Sequence, residues 1–213
     1  MKLSKYIDHT LLKADATSEK IKALCAEAKE YDFKTVCVNP SYITLCKECL
    51  AGSSVGVCTV IGFPLGQMTT EAKVFEAQDA IAKGADEVDM VLNIAKLKDQ
   101  DLDYVTNEIH AIKAACGDTT LKVIIETCLL TDEEKVNACH CIMNAGADFV
   151  KTSTGFSTSG ATFEDVALLK QTVGDKCQVK AAGGVRSHAD FLKMIELGAD
   201  RIGTSSGVKL LQE

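Results

Sequence analysis

Tryptophan is missing from this chain of 213 residues, proline occurs twice, and only Arg186 and Arg201 among its 23 basic residues are arginine. So little proline excludes a collagen-like or proline-rich chain. No apolar run approaches the ~20 residues that a spanning helix needs, and a mean hydropathy of +0.08 argues against a membrane protein. The opening Met1-Lys2-Leu3-Ser4-Lys5-Tyr6-Ile7-Asp8 lacks the apolar stretch of a secretory signal, so the expected location is cytoplasmic. Positive charge is also in short supply. Twenty-three basic against 30 acidic residues leave a net charge of −7, which disfavours nucleic acid or an anionic membrane as the main partner. With arginine so scarce, an anion would have to be held by backbone amides, lysines, or Arg186 and Arg201. Cysteine, by contrast, occurs 10 times. In a reducing cytosol these are thiols rather than a disulfide framework.

What is present is a regular alternation. Apolar runs of strand length occur at Ile7–Leu11, Thr35–Asn39, Val55–Phe63, Glu87–Asn93, Leu121–Thr127, Phe149–Thr154, Gln178–Gly183 and Arg201–Ser205. They are rich in Val and Ile with small or apolar residues on both faces, the pattern of buried parallel strands. Amphipathic stretches near 17–31, 41–51, 69–83, 99–116, 131–145, 162–173, 187–197 and 206–212 read as helices. Thr17 or Ser18, Thr69, Thr131 and Ser187 stand where N-caps belong. No linker or low-complexity segment interrupts the series, so one domain over 1–213 is expected.

A short motif returns three times. Gly84-Ala85-Asp86, Gly146-Ala147-Asp148 and Gly198-Ala199-Asp200 each close a helix and open a strand, with spacings of 62 and 52 residues, two strand–helix units each time. Eight such units with short connections fit a closed (β/α)8 barrel better than an open doubly wound sheet. The sixth position counted from each Gly is Asp89, Lys151 and Gly203. Alternate barrel strands contribute to the same interior layer, so equal offsets suggest equal height, with Asp89 and Lys151 facing inward.

A lysine at a strand end can simply face solvent. One inside a buried strand is different, because its charge is costly unless paired or neutralised. Lys151 and Lys180 occupy such settings on neighbouring strands and would disfavour each other's protonation. An amine of pKa ~10.4 is a poor nucleophile at neutral pH, and a neighbouring cation helps lower that value toward ~7. The pair therefore suggests a Schiff-base lysine with an activating partner. Asp89 reads either as a structural counter-ion or as a proton relay, and the two roles are compatible. Gly183-Gly184-Val185-Arg186-Ser187 and Gly203-Thr204-Ser205-Ser206-Gly207 follow strands seven and eight, where barrels commonly hold a phosphate.

No metal site is expected from cysteine spacing. Cys46-x-x-Cys49 and Cys139-His140-Cys141 lie in predicted helices, and no second CxxC completes a set. Cys37 is placed facing the barrel interior. His9 reads as polar lining or part of a hydrogen-bonded strand end, and His110, His140 and His188 as surface residues on helices.

Taken together the motifs resemble the deoxyribose-phosphate aldolases over nearly the whole chain. The resemblance is carried by Asp8-His9-Thr10-Leu11-Leu12, Val36-Cys37-Val38-Asn39-Pro40, Gly62-Phe63-Pro64-Leu65-Gly66, Glu71-Ala72-Lys73, Gly84-Ala85-Asp86-Glu87-Val88-Asp89 and Lys122-Val123-Ile124-Ile125-Glu126-Thr127. Lys151-Thr152-Ser153-Thr154-Gly155 and Lys180-Ala181-Ala182-Gly183-Gly184-Val185-Arg186 are the most specific pieces. The resemblance implies a cofactor-free class I aldolase on a (β/α)8 barrel that reversibly cleaves 2-deoxy-D-ribose 5-phosphate to acetaldehyde and D-glyceraldehyde 3-phosphate. By position it implies Lys151 as Schiff-base lysine, Lys180 as the lysine that perturbs it, and Asp89 as proton relay. It places Asp8, Thr10, Cys37 and Thr154 in the substrate pocket, and Gly155, Gly183, Gly184, Gly203, Ser205 and Ser206 at the phosphate. The implied partners are the phosphorylated sugar and acetaldehyde, with a homodimer as candidate assembly. Two departures stand out. Phe156 occupies a place where some relatives carry a basic residue. Some also have a longer C-terminal tail ending in Tyr that assists proton transfer, where this sequence reads Leu211-Gln212-Glu213. The alternatives are another class I or transaldolase-like barrel aldolase, a sugar-phosphate isomerase without a covalent intermediate, and a catalytically silent sugar-phosphate binder.

Overall fold

Strands rich in β-branched residues and apolar on both faces need cover on both sides, and closure into a barrel supplies it without leaving an edge. A computed structural model, which describes residues 2–212, shows that solution. Strands β1 (Ile7–Leu11), β2 (Thr35–Val38), β3 (Gly56–Ile61), β4 (Glu87–Val91), β5 (Thr120–Ile124), β6 (Phe149–Lys151), β7 (Gln178–Ala182) and β8 (Arg201–Thr204) form a closed parallel barrel in sequence order. The helices surround it: α1 (Ser18–Tyr31), α2 (Ile43–Cys49), α3 (Thr70–Ala82), α4 (Ile94–Lys98), α5 (Leu102–Cys116), α6 (Asp132–Asn144), α7 (Phe163–Val173), α8 (His188–Glu196) and α9 (Gly207–Gln212). The main apolar core lies between barrel and helices, where Val36, Val57, Val88, Val123, Val150 and Val179 face outward. Residues one position away on the same strands face inward, and many of those are charged.

The expected N-caps hold. Thr17, rather than Ser18, opens α1; Thr69, Thr131 and Ser187 open α3, α6 and α8, and Thr131 completes a capping box with Glu134. One expected helix is corrected. The stretch read as 99–116 begins at Leu102, and the separate α4 precedes it. Asn93 accepts from Lys96 N and Asp101 from Tyr104 N, so two caps start two helices, and Gln100, at φ +58°, breaks the chain between them. Every expected strand except the first also ends early at its C-terminal end, by a residue in β2 and by more in β5 and β6. There the backbone leaves the ladder to make loop contacts, such as Thr154 N donating to the Glu126 carboxylate.

The recurring Gly-Ala-Asp has a shared task. Asp86, Asp148 and Asp200 each accept a hydrogen bond from the backbone N–H at or near the start of the strand before their own, at Val57 (2.7 Å), Leu121 (2.8 Å) and Val179 (2.9 Å). Each also donates its own N–H to the carbonyl of that same residue. A lysine from the outer layer, Lys47, Lys113 or Lys170, sits against each carboxylate. The motif thus clamps β3 to β4, β5 to β6 and β7 to β8 at the N-terminal end of the barrel, away from the mouth.

Outside the barrel wall, Lys73 of α3 and Glu108 of α5 form a fully buried ion pair at 2.8 Å. Lys73 also donates to Val91 O, and Asn93 N donates to Glu108. The pair thereby satisfies the end of β4 as it turns toward α4. Burial pulls the Lys73 ammonium down and pushes the Glu108 carboxyl up, each opposed by its partner.

Candidate active site

The inward positions of the strands hold four cations, Lys122, Lys151, Lys180 and Arg201, and three carboxylates, Asp8, Glu87 and Asp89. Strand register brings them together, with Asp89 opposite Lys122 and Lys151 opposite Lys180, itself opposite Arg201. Deepest is Arg201, which bridges Asp8 and Glu87; its Nε lies 2.8 Å from Asp8 Oδ1, and Thr35 also donates to that oxygen. The Phe149 ring packs between Arg201 and Lys122, with its centroid 5.9 Å from the guanidinium carbon and 5.8 Å from Lys122 Nζ. One level up, Lys180 Nζ is 2.7 Å from Asp8 Oδ2 and 2.7 Å from Asp89 Oδ2. Lys151 Nζ reaches the same Asp89 Oδ2 at 2.7 Å, while Lys122 Nζ and Cys58 Sγ hold Oδ1 at 2.8 and 3.2 Å.

The electrostatics follow from burial set against these partners. Burial alone would raise both carboxyls. For Asp8 the Arg201, Lys180 and Lys122 charges outweigh it, and for Asp89 those of Lys122, Lys151 and Lys180 do, so both sit well below the usual carboxylate range. Burial opposes the Lys180 and Lys122 charges as well, but the nearby carboxylates hold both ammoniums above an ordinary lysine. Asp8, Asp89, Lys122 and Lys180 therefore stay charged at neutral pH, in an interior that holds four basic side chains against three carboxyl side chains.

Above this network opens a mouth cavity of about 420 Å³. Of the residues singled out from sequence, Lys151, Thr10, Thr154, Gly155, Gly183, Gly184, Gly203, Ser205 and Ser206 line it. Lys180, Asp89, Asp8 and Cys37 lie beneath, fully buried. Lys151 is thus the member of the charged network that reaches the opening. Lys13 and Arg186 add positive charge to the lining, which contains no carboxylate among the described residues. Gly183 and Gly184 have φ of +71° and +82°, and a Cβ on Gly184 would lie 3.0 Å from Ala161 O. Their backbone can therefore approach the 155–161 loop as side-chain-bearing residues could not. Gly203 lines the mouth and serves the interior as well. A Cβ there would meet Lys180 Cε at 3.2 Å, so its bareness leaves room for that side chain.

Several sequence expectations change. Arg201 is not available to a ligand, because two buried carboxylates occupy it. His9 does not line the barrel: it faces α1, where Nε2 meets Glu27 at 2.6 Å and its ring packs on Phe33. The outward turn follows from alternation, since Asp8 and Thr10 on either side face the interior and the mouth. His188 is partly buried on α8 and hydrogen-bonds to Leu210 O, tying α9 down. Three further residues of the site carry no sequence signal of their own. Lys122 and Glu87 sit an even number of positions from the inward residues of their strands, and only that period-two count aims them inward. Glu126 was hidden by its backbone, with φ +53° just past the end of β5. Its carboxylate accepts from Thr154 N at 3.1 Å and also from the Thr154 hydroxyl, which in turn accepts from Phe156 N at 3.0 Å. Glu126→Gln removes one acceptor from this buried relay. The loss should be about 1–3 kcal/mol, read as a KM raised about tenfold with kcat less affected; an unchanged KM would show that the loop holds itself.

A closed (β/α)8 barrel with a buried carboxylate joining two lysines, one of them open to a positively lined mouth, defines an enzyme of the class that works through a lysine amine. Known proteins narrow this. The family model described as DeoC/LacD family aldolase matches residues 2–213, and the chain belongs to that family. It is 62% identical over 212 residues to a deoxyribose-phosphate aldolase of Finegoldia magna, covering 100% of both chains. A second relative of that name, from Brevibacillus brevis, is 62% identical over 99% of this chain and 96% of its own. Among solved structures, the deoxyribose phosphate aldolase of Aeropyrum pernix, described as tetrameric, superposes with a TM-score of 0.90 at 37% identity. That match covers 99% of this chain and 89% of the other.

Proposed function

We propose that this chain reversibly cleaves 2-deoxy-D-ribose 5-phosphate to acetaldehyde and D-glyceraldehyde 3-phosphate through an imine on Lys151. The observation that carries the reading is the placement of Lys151. It is the network amine that opens onto the mouth, in an interior with more cations than carboxylates. Its Nζ is thus the interior amine that a substrate in the mouth can meet.

Lys151 Nζ adds to the aldehyde carbon of the open-chain sugar, and loss of water from the carbinolamine leaves an iminium ion. Removal of the C3 hydroxyl proton breaks the C2–C3 bond, with the electron pair entering the iminium. Glyceraldehyde 3-phosphate departs and an enamine of acetaldehyde remains. Protonation at C2 and hydrolysis then release acetaldehyde and restore the amine. Asp89 Oδ2 touches both Lys151 and Lys180, so it is placed to pass protons between the reacting nitrogen and Lys180, with water completing the path. Lys180 keeps a cation beside the reacting amine, and Asp8 keeps Lys180 charged. Thr10 and Thr154 would meet the sugar hydroxyls with Cys37 beneath, and Gly155, Gly183, Gly184, Gly203, Ser205 and Ser206 would receive the phosphate. Lys13 and Arg186 supply charge that Phe156 cannot.

Borohydride reduction in the presence of acetaldehyde tests this. The expected product is a two-carbon adduct on Lys151, found by peptide mapping, in enzyme that keeps its activity with a chelator present. Active enzyme with Lys151 unmodified would sink the covalent mechanism. Among the described residues no helix is long and apolar enough to cross a membrane. A cytoplasmic location and a homodimeric assembly are proposed with the activity, the latter open to sedimentation analysis.

A further inference from the structure

Cys37 and Cys58 are register partners on β2 and β3, and both are fully buried in the barrel. Among the described residues, their two sulfurs and an oxygen of Asp89 form a group in which all three atoms lie within 4.8 Å of one another. Spacing along the chain gives no hint of it, because the three residues come from three strands. We propose that Cys37, Cys58 and Asp89 form an inhibitory site for a thiophilic divalent cation of the zinc or cadmium class.

Three arguments support the assignment. The first is distance. Zinc–sulfur bonds of about 2.3 Å at tetrahedral angles put neighbouring ligand atoms roughly 3.5–4 Å apart. Cys58 Sγ already stands 3.2 Å from Asp89 Oδ1, so one ion can touch all three with small side-chain shifts. The second is charge. The exchange is M²⁺ + 2 R–SH + R–COO⁻ → M(SR)₂(OOCR)⁻ + 2 H⁺. Two S–H bonds break and two protons leave for each dication that enters, so Lys122, Lys151 and Lys180 still face a single negative charge. A site of carboxylates alone would have to place two extra positive charges beside those ammoniums. The thiols remove that cost and select a soft ion over magnesium or calcium. The third is access. Cys37 and Cys58 share one buried apolar cluster with Leu12, and Leu12 lines the mouth cavity, so that cluster connects the group to the opening.

An ion here would compete with Lys122 and Lys151 for the Asp89 oxygens. The inhibition therefore rests on the proposed part of Asp89 in proton transfer; the binding does not. The experiment is a cadmium titration of the phosphine-reduced full chain. One ion per chain should bind, with an ultraviolet cadmium–thiolate charge-transfer band, two protons released, and activity lost in proportion and restored by chelator. Cys58→Ala and, independently, Cys37→Ala should remove the band and weaken inhibition of their remaining activity at least about tenfold, since even outer-shell changes at metal sites cost 10–100-fold. Cys46→Ala, on the outer helix α2, should change neither. A band and inhibition that survive in both barrel variants, or a band that Cys46→Ala removes, would overturn the site. If either barrel variant fails to fold, the other and the proton count on the unaltered chain still decide. A band without inhibition would retain the ion site and count against the assigned part of Asp89. Failure of Lys151 trapping would count against the aldolase mechanism alone.

Discussion

Replacing Lys151 with leucine is expected to abolish aldol cleavage, by about 10⁴-fold or more in kcat/KM as for loss of a covalent nucleophile, while leaving the protein at least as stable as before. The two halves of this result have one cause. Lys151 shares Asp89 Oδ2 with Lys180, and Asp89 retains Lys122 and Lys180 when Lys151 is gone. Four interior cations then become three against three carboxylates, so no buried charge is left without a partner. A ring of ion pairs that existed only for stability would be weakened by losing a member; this one is not. Unfolding in urea should move by no more than about 1 kcal/mol. A destabilisation of several kcal/mol would mean that Lys151 balances the network instead of exceeding it. The borohydride adduct should vanish with the activity.

Asp89→Asn is the opposite case, costing both activity and stability. The side chain keeps its shape but loses the charge that faces three ammoniums, leaving four cations against Asp8 and Glu87. Breaking a buried ion pair by removing one partner costs about 3–5 kcal/mol, and at roughly 2–4 °C per kcal/mol for a domain of this size the melting temperature should fall by about 10 °C. Turnover should drop about 10²–10⁴-fold through lost proton transfer. The pH dependence carries its own signature. The folded-state pKa of Asp89 is depressed, so its stabilisation is fully present above the unfolded carboxyl value of about 4 and is lost as pH falls through the lower folded value. The unaltered chain should therefore lose this contribution only in acid. The amide that replaces the carboxylate has no proton to gain, so the variant should be less stable at neutral pH yet show a shallower acid slope. Parallel acid slopes would place the titrating group elsewhere.

The barrel was legible because its signals are local and repeated. Strand length, β-branching and the cap residues recur with each unit, and the Gly-Ala-Asp echo fixed which strands are equivalent. Asp89 and Lys151 could be aimed inward from that echo, and they do share a hydrogen bond. Legibility ended where partners are distant in sequence. Asp8 and Arg201 are 193 residues apart, and nothing beside Arg201 shows that two carboxylates hold it away from a ligand. Lys122 has the same alternation as its neighbours and stands sixth from Gly117, but Gly117-Asp118-Thr119 does not repeat the Gly-Ala-Asp motif that flags the others. At the strand ends, composition favoured extended chain as far as Thr127 and Thr154. The left-handed turn at Glu126, which joins those two loops, is set by a tertiary hydrogen bond that residue type alone does not encode.

The aspartate clamps divide the molecule in a way its activity does not reveal. Each aspartate ties a strand to its successor inside a single strand–helix–strand unit, and the lysine against it, Lys47, Lys113 or Lys170, comes from the helix just before that unit. The barrel from β3 onward is therefore three stitched modules of similar build, joined at α5 with β5 and at α7 with β7. A chain assembled this way suits growth by duplication and reopening at the seams. Gly117 and Gly174, with open space where a Cβ would sit, mark the two seams where the backbone could be cut without severing an aspartate–strand bond, leaving only the Lys113 and Lys170 ion pairs to bridge the cut.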